Sequence, residues 1–310
     1  MRKLIPHDLG HYEVVVVGAG NAGASAALVL GRARRRVLVL DQGAERSDRA
    51  AHTHRRVALA GGVPPEALRL GREQLRPYPV NVQADEVRQA HWDGAGFALT
   101  LASGATARAN ALVLATGVTN ELPPVPGLAE QWGRGVYDCP YCHGWESRHS
   151  KVLVYGQGEA GYQQAVLLQQ WCSPLTLCTD GPPHLTPAQQ AHLAALGISV
   201  VATPVKALRS VTKCLLSIDF IDGCRLPLDV LFVRPVQRQR SNLAAQLGCA
   251  FAADGVSVLV NESGQTNVPN VYAVGEMTGP DQQAIVAAAS GTRAGTALNN
   301  AFIFSNAVAV

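Results

Sequence analysis

The chain has 310 residues, 47% of them hydrophobic and 16% charged, with a formal net charge of +3. That is enough chain for two domains with cores of their own, and too apolar a mixture for a disordered protein. The small charge gives no argument for nucleic acid as a partner. No apolar run approaches the ~18 residues needed to cross a bilayer, and the start, Met1 to Asp8, lacks the apolar segment of a signal peptide. A cytoplasmic protein with neither membrane nor nucleic-acid partner is the expectation. Its seven cysteines, an odd number, do not look like a secreted disulfide framework.

Taken in order, Tyr12 to Val17 reads as a buried parallel strand running into Gly18-Ala19-Gly20-Asn21-Ala22-Gly23 and a helix from Ala24 to Leu30. Glycines at this spacing allow a tight turn and close approach of backbone to a pyrophosphate at the helix start. Arg32 to Arg36 reads as the solvated end of that helix. A second strand, Arg36 to Leu40, ends at Asp41, where a carboxylate accepts hydrogen bonds from a ribose 2′-hydroxyl. Strand, glycine loop, helix, strand and acid together give the fingerprint the context it needs.

Residues 43 to 80 are polar and irregular. His52 and His54 stand two apart with nothing nearby to complete a metal site, so the segment reads as surface or as a loop over a cofactor, and no metal is expected. Short strands follow at Val80 to Val82, Gly96 to Leu101 and Ala111 to Leu114. The last runs into Ala115-Thr116-Gly117, small residues where backbone can lie against a cofactor. Leu122-Pro123-Pro124-Val125-Pro126-Gly127 is a stiff crossing and a candidate domain boundary.

Then comes Cys139-Pro140-Tyr141-Cys142, followed by His143-Gly144-Trp145-Glu146. Two intervening residues hold the sulfurs within bonding reach, so the pair reads as an easily reduced disulfide. Half of a zinc site is the alternative, but it needs a second ligand pair, and the other five cysteines form no second C-x-x-C. Lys151 to Tyr155 repeats the pattern of the first strand, feeding Gly156-Gln157-Gly158-Glu159-Ala160-Gly161, a helix from Tyr162 to Trp171 and a strand from Leu175 to Cys178. This second βαβ unit is an inserted copy of the first. A strand from Asp229 to Val236 leads back across. The chain closes with Val268 to Met277 and a small-residue helix starting near Gln282 and Gln283, fit for close packing on a neighbouring element or a cofactor. The apolar tail, Ala301 to Phe304, is read chiefly as core, with an active-site cover or a dimer seam as the other options.

These motifs together resemble the low-molecular-weight thioredoxin reductase family of flavoproteins, and the resemblance runs from Val17-Gly18 to Gly275-Glu276 with Gln283. It implies an α/β fold of two Rossmann-like dinucleotide-binding domains. Residues 1–117 and 237–310 would form a discontinuous FAD-binding domain, and residues 118–236 an inserted central domain carrying the redox cysteines. It also implies a homodimer. Gly18, Gly20, Asn21, Ala22, Gly23 and Asp41 would hold the adenosine diphosphate half of FAD, and Thr116, Gly117, Gly275, Glu276 and Gln283 its ribityl chain and ring. Cys142 would be the flavin-side sulfur and Cys139 the one exchanging with substrate.

Three departures bear on function. Where the reductases carry His-Arg-Arg to grip the NADPH 2′-phosphate, this chain has Cys178-Thr179-Asp180, and a carboxylate repels a phosphate dianion. NADPH binding is therefore doubtful, while Asp180 leaves a place for NADH. Where the reductases have aspartate after the second cysteine, this chain has His143. Cys142 to Glu146 is similar to the flavin-dependent dithiol oxidases of the gliotoxin and holomycin type, and a histidine there can take a thiol proton or pair with a thiolate. Finally, Glu276 stands where the reductases have aspartate. The expectation is an FAD-dependent oxidoreductase that closes a small dithiol into a disulfide, with His143 as base, O2 as acceptor and H2O2 as product. The alternatives are a reductase of a thioredoxin-like protein, fed by NADH, NADPH or a ferredoxin-like donor, and a slow flavin-bearing redox sensor.

Overall fold

A run of valines without polar alternation asks for a strand covered on both faces. In the computed structural model, which describes residues 7–43, 64–211 and 214–305, Val14 to Val17 end β1 (Asp8–Val17) and all four are buried. The glycine loop turns the chain into α1 (Asn21–Arg32) and back to β2 (Val37–Asp41). After α2 (Pro64–Glu73) come β3 (Val80–Ala84), β4 (Val87–Trp92), β5 (Phe97–Leu101) and β6 (Thr106–Leu114). These strands form one sheet in the order β3-β2-β1-β6-β5-β4. Its β1, β2, β3 and β6 pairings are parallel, and its β4-β5-β6 flank is antiparallel.

The chain leaves this sheet through β7 (Val118–Glu121), α3 (Leu128–Gln131), β8 (Val136–Tyr137) and α4 (Pro140–Ser147). It then builds a second unit from β9 (Val152–Tyr155), α5 (Gly158–Leu168), β10 (Leu175–Cys178), α6 (Pro187–Ala195) and β11 (Ser199–Val201). Next come β12 (Val205–Val211), β13 (Cys214–Phe220), β14 (Arg225–Pro227) and β15 (Val230–Val233). The second sheet is parallel, in the order β11-β10-β9-β15-β8, while β12, β13 and β14 make a separate antiparallel sheet that packs on the same core. The chain returns through β16 (Val236–Gln239), antiparallel to β7, then α7 (Leu243–Gln246). Finally β17 (Val271–Ala273) joins the first sheet beside β6, and α8 (Ala284–Ser305) closes the chain.

Each sheet carries its core on both faces. Against one face of the first lie Ala22, Ala26 and Leu30 of α1 with Ala287, Ala294 and Leu298 of α8. The other buries Leu38, Leu40, Leu112 and Leu114 with Leu243 and Ala244 of α7. The small residues of α8 thus serve helix-to-helix contact: a Cβ on Gly291 would lie 1.9 Å from the Ala22 carbonyl oxygen. At its end Phe302 packs on the core with the Arg35 guanidinium 5.1 Å from its ring centre, while Ile303 and Phe304 are exposed. Core packing accounts for the first of these three and not for the other two.

The structure departs from the sequence reading in several places, the start of α1 at Asn21 rather than Ala24 among them. The stretch 43–80 contains α2 and the start of β3, and its His52 and His54 fall outside the described residues. Strand β4 and the β12-β13-β14 sheet lie outside the sequence reading: β4, β12 and β14 present mixed, largely exposed faces, and the buried run of β13 is interrupted by Ser217 and Asp219. Helix α5 starts at Gly158, inside the glycine loop. The strand expected over Asp229 to Val236 is broken into β15 and β16 at Arg234-Pro235, where proline has no N–H for a ladder.

Candidate active site

The first glycine loop is fixed by close backbone packing. Gly18 has φ +103°, and a Cβ on Gly23 would lie 1.9 Å from the Gly18 carbonyl oxygen, so α1 starts hard against the end of β1. Gly20 is the N-cap of α1 and no side chain caps the helix. Its positive end faces a cavity of about 1000 Å³, at the large end for small-molecule sites. Gly18, Gly20, Asn21, Ala22, Asp41, Thr116, Gly117, Gly275, Glu276 and Gln283 all line this cavity, and so do Cys139, Cys142 and His143. Of the residues expected to hold FAD or carry the redox chemistry, Gly23 alone is not on its wall, and it packs directly behind the loop.

Asp41 is more heavily engaged than a ribose acceptor need be. Its Oδ1 accepts a hydrogen bond from the Ala19 N–H at 3.0 Å, and its Oδ2 pairs with Arg72 of α2 at 2.8 Å. The carboxylate ties the glycine loop to α2, and Arg72 balances its charge. Nothing marks Arg72 in the sequence, where its stretch reads as polar and irregular and a second arginine, Arg69, stands three positions before it. Beside the loop, the Gly275 N–H donates to Ser290 Oγ of α8 at 2.9 Å, and the Thr116 hydroxyl lies 3.6 Å from the Met277 sulfur.

Across the cavity, Cys139 and Cys142 form a disulfide with S–S 2.06 Å. Among the described residues no group of three or more His, Cys, Asp and Glu is arranged to hold a metal ion. Cys139 is the N-cap of α4, and its carbonyl accepts from the N–H of Cys142 at 3.1 Å and of His143 at 3.2 Å. Once the pair is reduced, the start of the helix favours a thiolate there. Pro140 at the first helical position has no N–H to leave unsatisfied. Behind the pair, Gln164 of α5 is buried and donates from Nε2 to the Asp138 carbonyl at 3.1 Å. The His143 ring lies flat on Tyr137, centroids 3.9 Å apart with 9° between planes. Burial, with the charge of Glu146 second, raises the Tyr137 phenol above its ordinary pKa, so it is neutral.

The second glycine loop has a different fate. No residue from 156 to 161 lines the cavity. A Cβ on Gly161 would lie 2.5 Å from the Gly156 carbonyl oxygen, so the glycines serve helix-to-strand packing. The Gly158 N–H, at the start of α5, donates to the Pro183 carbonyl at 2.9 Å. Gln157 Nε2 donates to the Thr179 carbonyl at 2.7 Å. Asp180 accepts from the Tyr155 hydroxyl on one oxygen and from the Val205 N–H on the other, each at 2.5 Å. That carboxylate is spent inside the protein, and with burial it pushes the Tyr155 phenol up.

Two dinucleotide-type sheets meeting at a cavity with a C-x-x-C disulfide in its wall define an oxidoreductase acting on sulfur. The chain belongs to the pyridine nucleotide-disulphide oxidoreductase family, whose description matches residues 12–291. Within it the chain is a thioredoxin reductase-like flavoprotein. It is 26% identical over 307 residues to "Thioredoxin reductase sirT" of Leptosphaeria maculans, covering 93% of each chain. Its fold superposes on the crystal structure of HlmI with a TM-score of 0.93 at 33% identity, covering 98% of this chain and 96% of that one. The putative thioredoxin reductase TrxB of Bacillus anthracis superposes with a TM-score of 0.90 at 27% identity, covering 95% and 99%. The expected resemblance and fold class are both borne out. No helix among the described residues is long and apolar enough to cross a membrane.

Family membership implies FAD, and the residues present fit it. An uncapped helix start on the cavity, a tight loop in which a Cβ on Gly18 or Gly23 would strike neighbouring backbone, and a carboxylate at the end of β2 fit an adenosine diphosphate.

Proposed function

We propose that the protein oxidises a small dithiol to a disulfide, with FAD as cofactor, O2 as terminal acceptor and H2O2 as product. The observation that carries this reading is the contrast between the two glycine loops. The first opens onto the cavity that holds the redox pair, while the second is engaged by the chain itself, the Gly158 N–H donating to the Pro183 carbonyl and Gln157 Nε2 to the Thr179 carbonyl. That engagement argues against NADPH, and against NADH as well, as the source of electrons. The likeness to the gliotoxin- and holomycin-type oxidases in the Cys142 to Glu146 segment points the same way.

In this reading one substrate thiol gives its proton to His143, and the thiolate attacks Cys139, releasing Cys142 as a thiolate. The second substrate thiol then attacks the mixed disulfide, freeing the product disulfide and leaving both cysteines reduced. The start of α4 stabilises the negative sulfur during these steps. FAD, when bound, would supply the two-electron acceptor for the reduced pair and the route by which those electrons reach O2. Gly18, Gly20, Asn21, Ala22 and Asp41 would hold its adenosine diphosphate half, and Thr116, Gly117, Gly275, Glu276 and Gln283 the rest.

Residues 1–117 with 237–310 would form the FAD unit and residues 118–236 the central unit, a division supported by the β7–β16 ribbon, where the two chain crossings run side by side. A cytoplasmic homodimer is the form we propose, its seam covering exposed apolar residues such as Phe304 of α8. The second reading, a disulfide reductase of a thioredoxin-like protein, is favoured by the names of relatives such as sirT.

The test is an anaerobic titration of the holoenzyme with NADPH, NADH and then dithiothreitol, followed by flavin absorbance. Bleaching by dithiothreitol alone, with colour and peroxide restored by air, is the expected result. Prompt bleaching by either nicotinamide nucleotide would replace this reading with the reductase.

A further inference from the structure

A histidine on a short helix at a cavity wall has two free side-chain torsions, and a general base needs one ring plane. The backbone of His143 is fixed within α4, its N–H on the Cys139 carbonyl and its own carbonyl accepting from Ser147 Oγ at 2.7 Å. Its ring is fixed from outside the helix, by Tyr137 of β8. Tyr137 is itself anchored: it pairs in register with Phe232 of β15 in the second sheet, and its ring packs on that fully buried phenylalanine with centroids 6.0 Å apart. The stack therefore ties the imidazole to the rigid sheet and not merely to the eight-residue helix that carries the disulfide.

We propose that Tyr137 is the positioning residue for His143, its aromatic face setting the plane from which the imidazole takes the substrate proton and stabilising the imidazolium that results. This rests on His143 being the base. A cation within about 6 Å of an aromatic centroid is attracted by the ring's electron-rich face, and the 3.9 Å separation lies well inside that reach. The face performs the task and the hydroxyl does not, so phenylalanine substitutes for tyrosine and an aliphatic residue does not. Tyr137 touches neither sulfur in this account; it acts only through His143.

The test uses full-length holoenzyme with labelled histidine, the His143 ring signals being assigned from H143Q. In the wild type and in Y137F these signals should be moved upfield by the ring current of the stacked aromatic. In Y137L the shift should vanish. Anaerobic flavin bleaching by dithiothreitol should stay within about twofold of wild type in Y137F and fall at least about tenfold in Y137L, a part of the 10²–10⁴ that a general base contributes. Y137L bleaching at the wild-type rate, or Y137F as slow as Y137L, would overturn the proposal. If Y137L fails to fold, the wild-type spectrum still decides, since His143 signals without an upfield shift refute the stack. H143A separates the two layers. A fast H143A removes the base and the proposal with it, whereas a slow H143A beside a fast Y137L refutes the positioning role alone.

Discussion

Replacing Gly291 by alanine pits two opposed effects against each other, and the structure decides the sign. In a helix interior alanine is favoured over glycine by about 1 kcal/mol, so propensity alone predicts a more stable protein. The new Cβ, however, would sit 1.9 Å from the Ala22 carbonyl oxygen and 2.8 Å from its carbon, both backbone atoms that cannot rotate aside. Relief requires α8 to part from α1 by roughly 1–1.5 Å, and overpacking of this kind costs about 1–3 kcal/mol, occasionally more. Because Ala22 also lines the cavity behind the first glycine loop, the displacement reaches the FAD cradle. With both clashing atoms in the backbone, the upper part of the overpacking range applies, about 2–3 kcal/mol. Less the propensity gain, a net loss of about 1–2 kcal/mol lowers Tm by about 2–8 °C, at 2–4 °C per kcal/mol for domains of 150–250 residues. Gly71→Ala in α2 is the control, since a Cβ there meets nothing within 4 Å, and propensity should raise Tm. Thermal melts at fixed FAD, with flavin content measured after gel filtration, read both effects. A G291A protein melting at or above wild type with full flavin would refute the packing argument.

Cys142→Ser should keep its fold and flavin and lose dithiol-dependent bleaching; normal turnover would break the proposed electron path. His143→Ala should slow bleaching and flatten its dependence on pH between about 5 and 8, where histidine titrates, and an unchanged pH profile would dismiss the base. Asp41→Ala removes both the Ala19 contact and the Arg72 pair, so FAD should be held more weakly, checked as flavin retained through dialysis. Burial pushes the Cys178 thiol up from 9.0 to about 11. With the folded value above the unfolded one, its contribution to stability is complete below pH 9 and lost as the pH rises through 11. Melting temperature should begin to fall above pH 9. In native labelling with iodoacetamide, exposed Cys214 should react well before Cys178, and the reverse order would contradict the burial.

What the sequence disclosed was what chemistry forces into short local patterns. Gly18 and Gly23 are legible because the strand-to-helix turn has room for no side chain, and Cys139 with Cys142 because a helical turn brings their sulfurs together. Partnerships across long separations were not legible. Arg72 reaches Asp41 over 31 residues from a helix that reads as ordinary polar surface. The Tyr137 stack depends on the register of β8 against β15, which brings Tyr137 beside Phe232 from 95 positions away. Asp180 leaves a place for an NADH ribose because it follows β10, but its oxygens accept from Tyr155 and Val205, partners that no local pattern announces. The second glycine loop is the sharper lesson: both loops pack helix start against strand end, but only the first also lines the cavity.

The pairing of β17 with β6, Val271 beside Leu112, sets an order on synthesis. The second sheet uses only residues 136–233, so once β15 has been made it can form while the ribosome is still working. The first sheet cannot be finished then. Its seventh strand and the helix that covers α1 are the last parts translated, and the span between β6 and β17 must close before either contributes. A nascent chain therefore carries its disulfide-bearing half folded beside an unfinished cofactor half. Any message truncated before Val271 yields a protein with cysteines in place and no completed wall to hold a flavin against them.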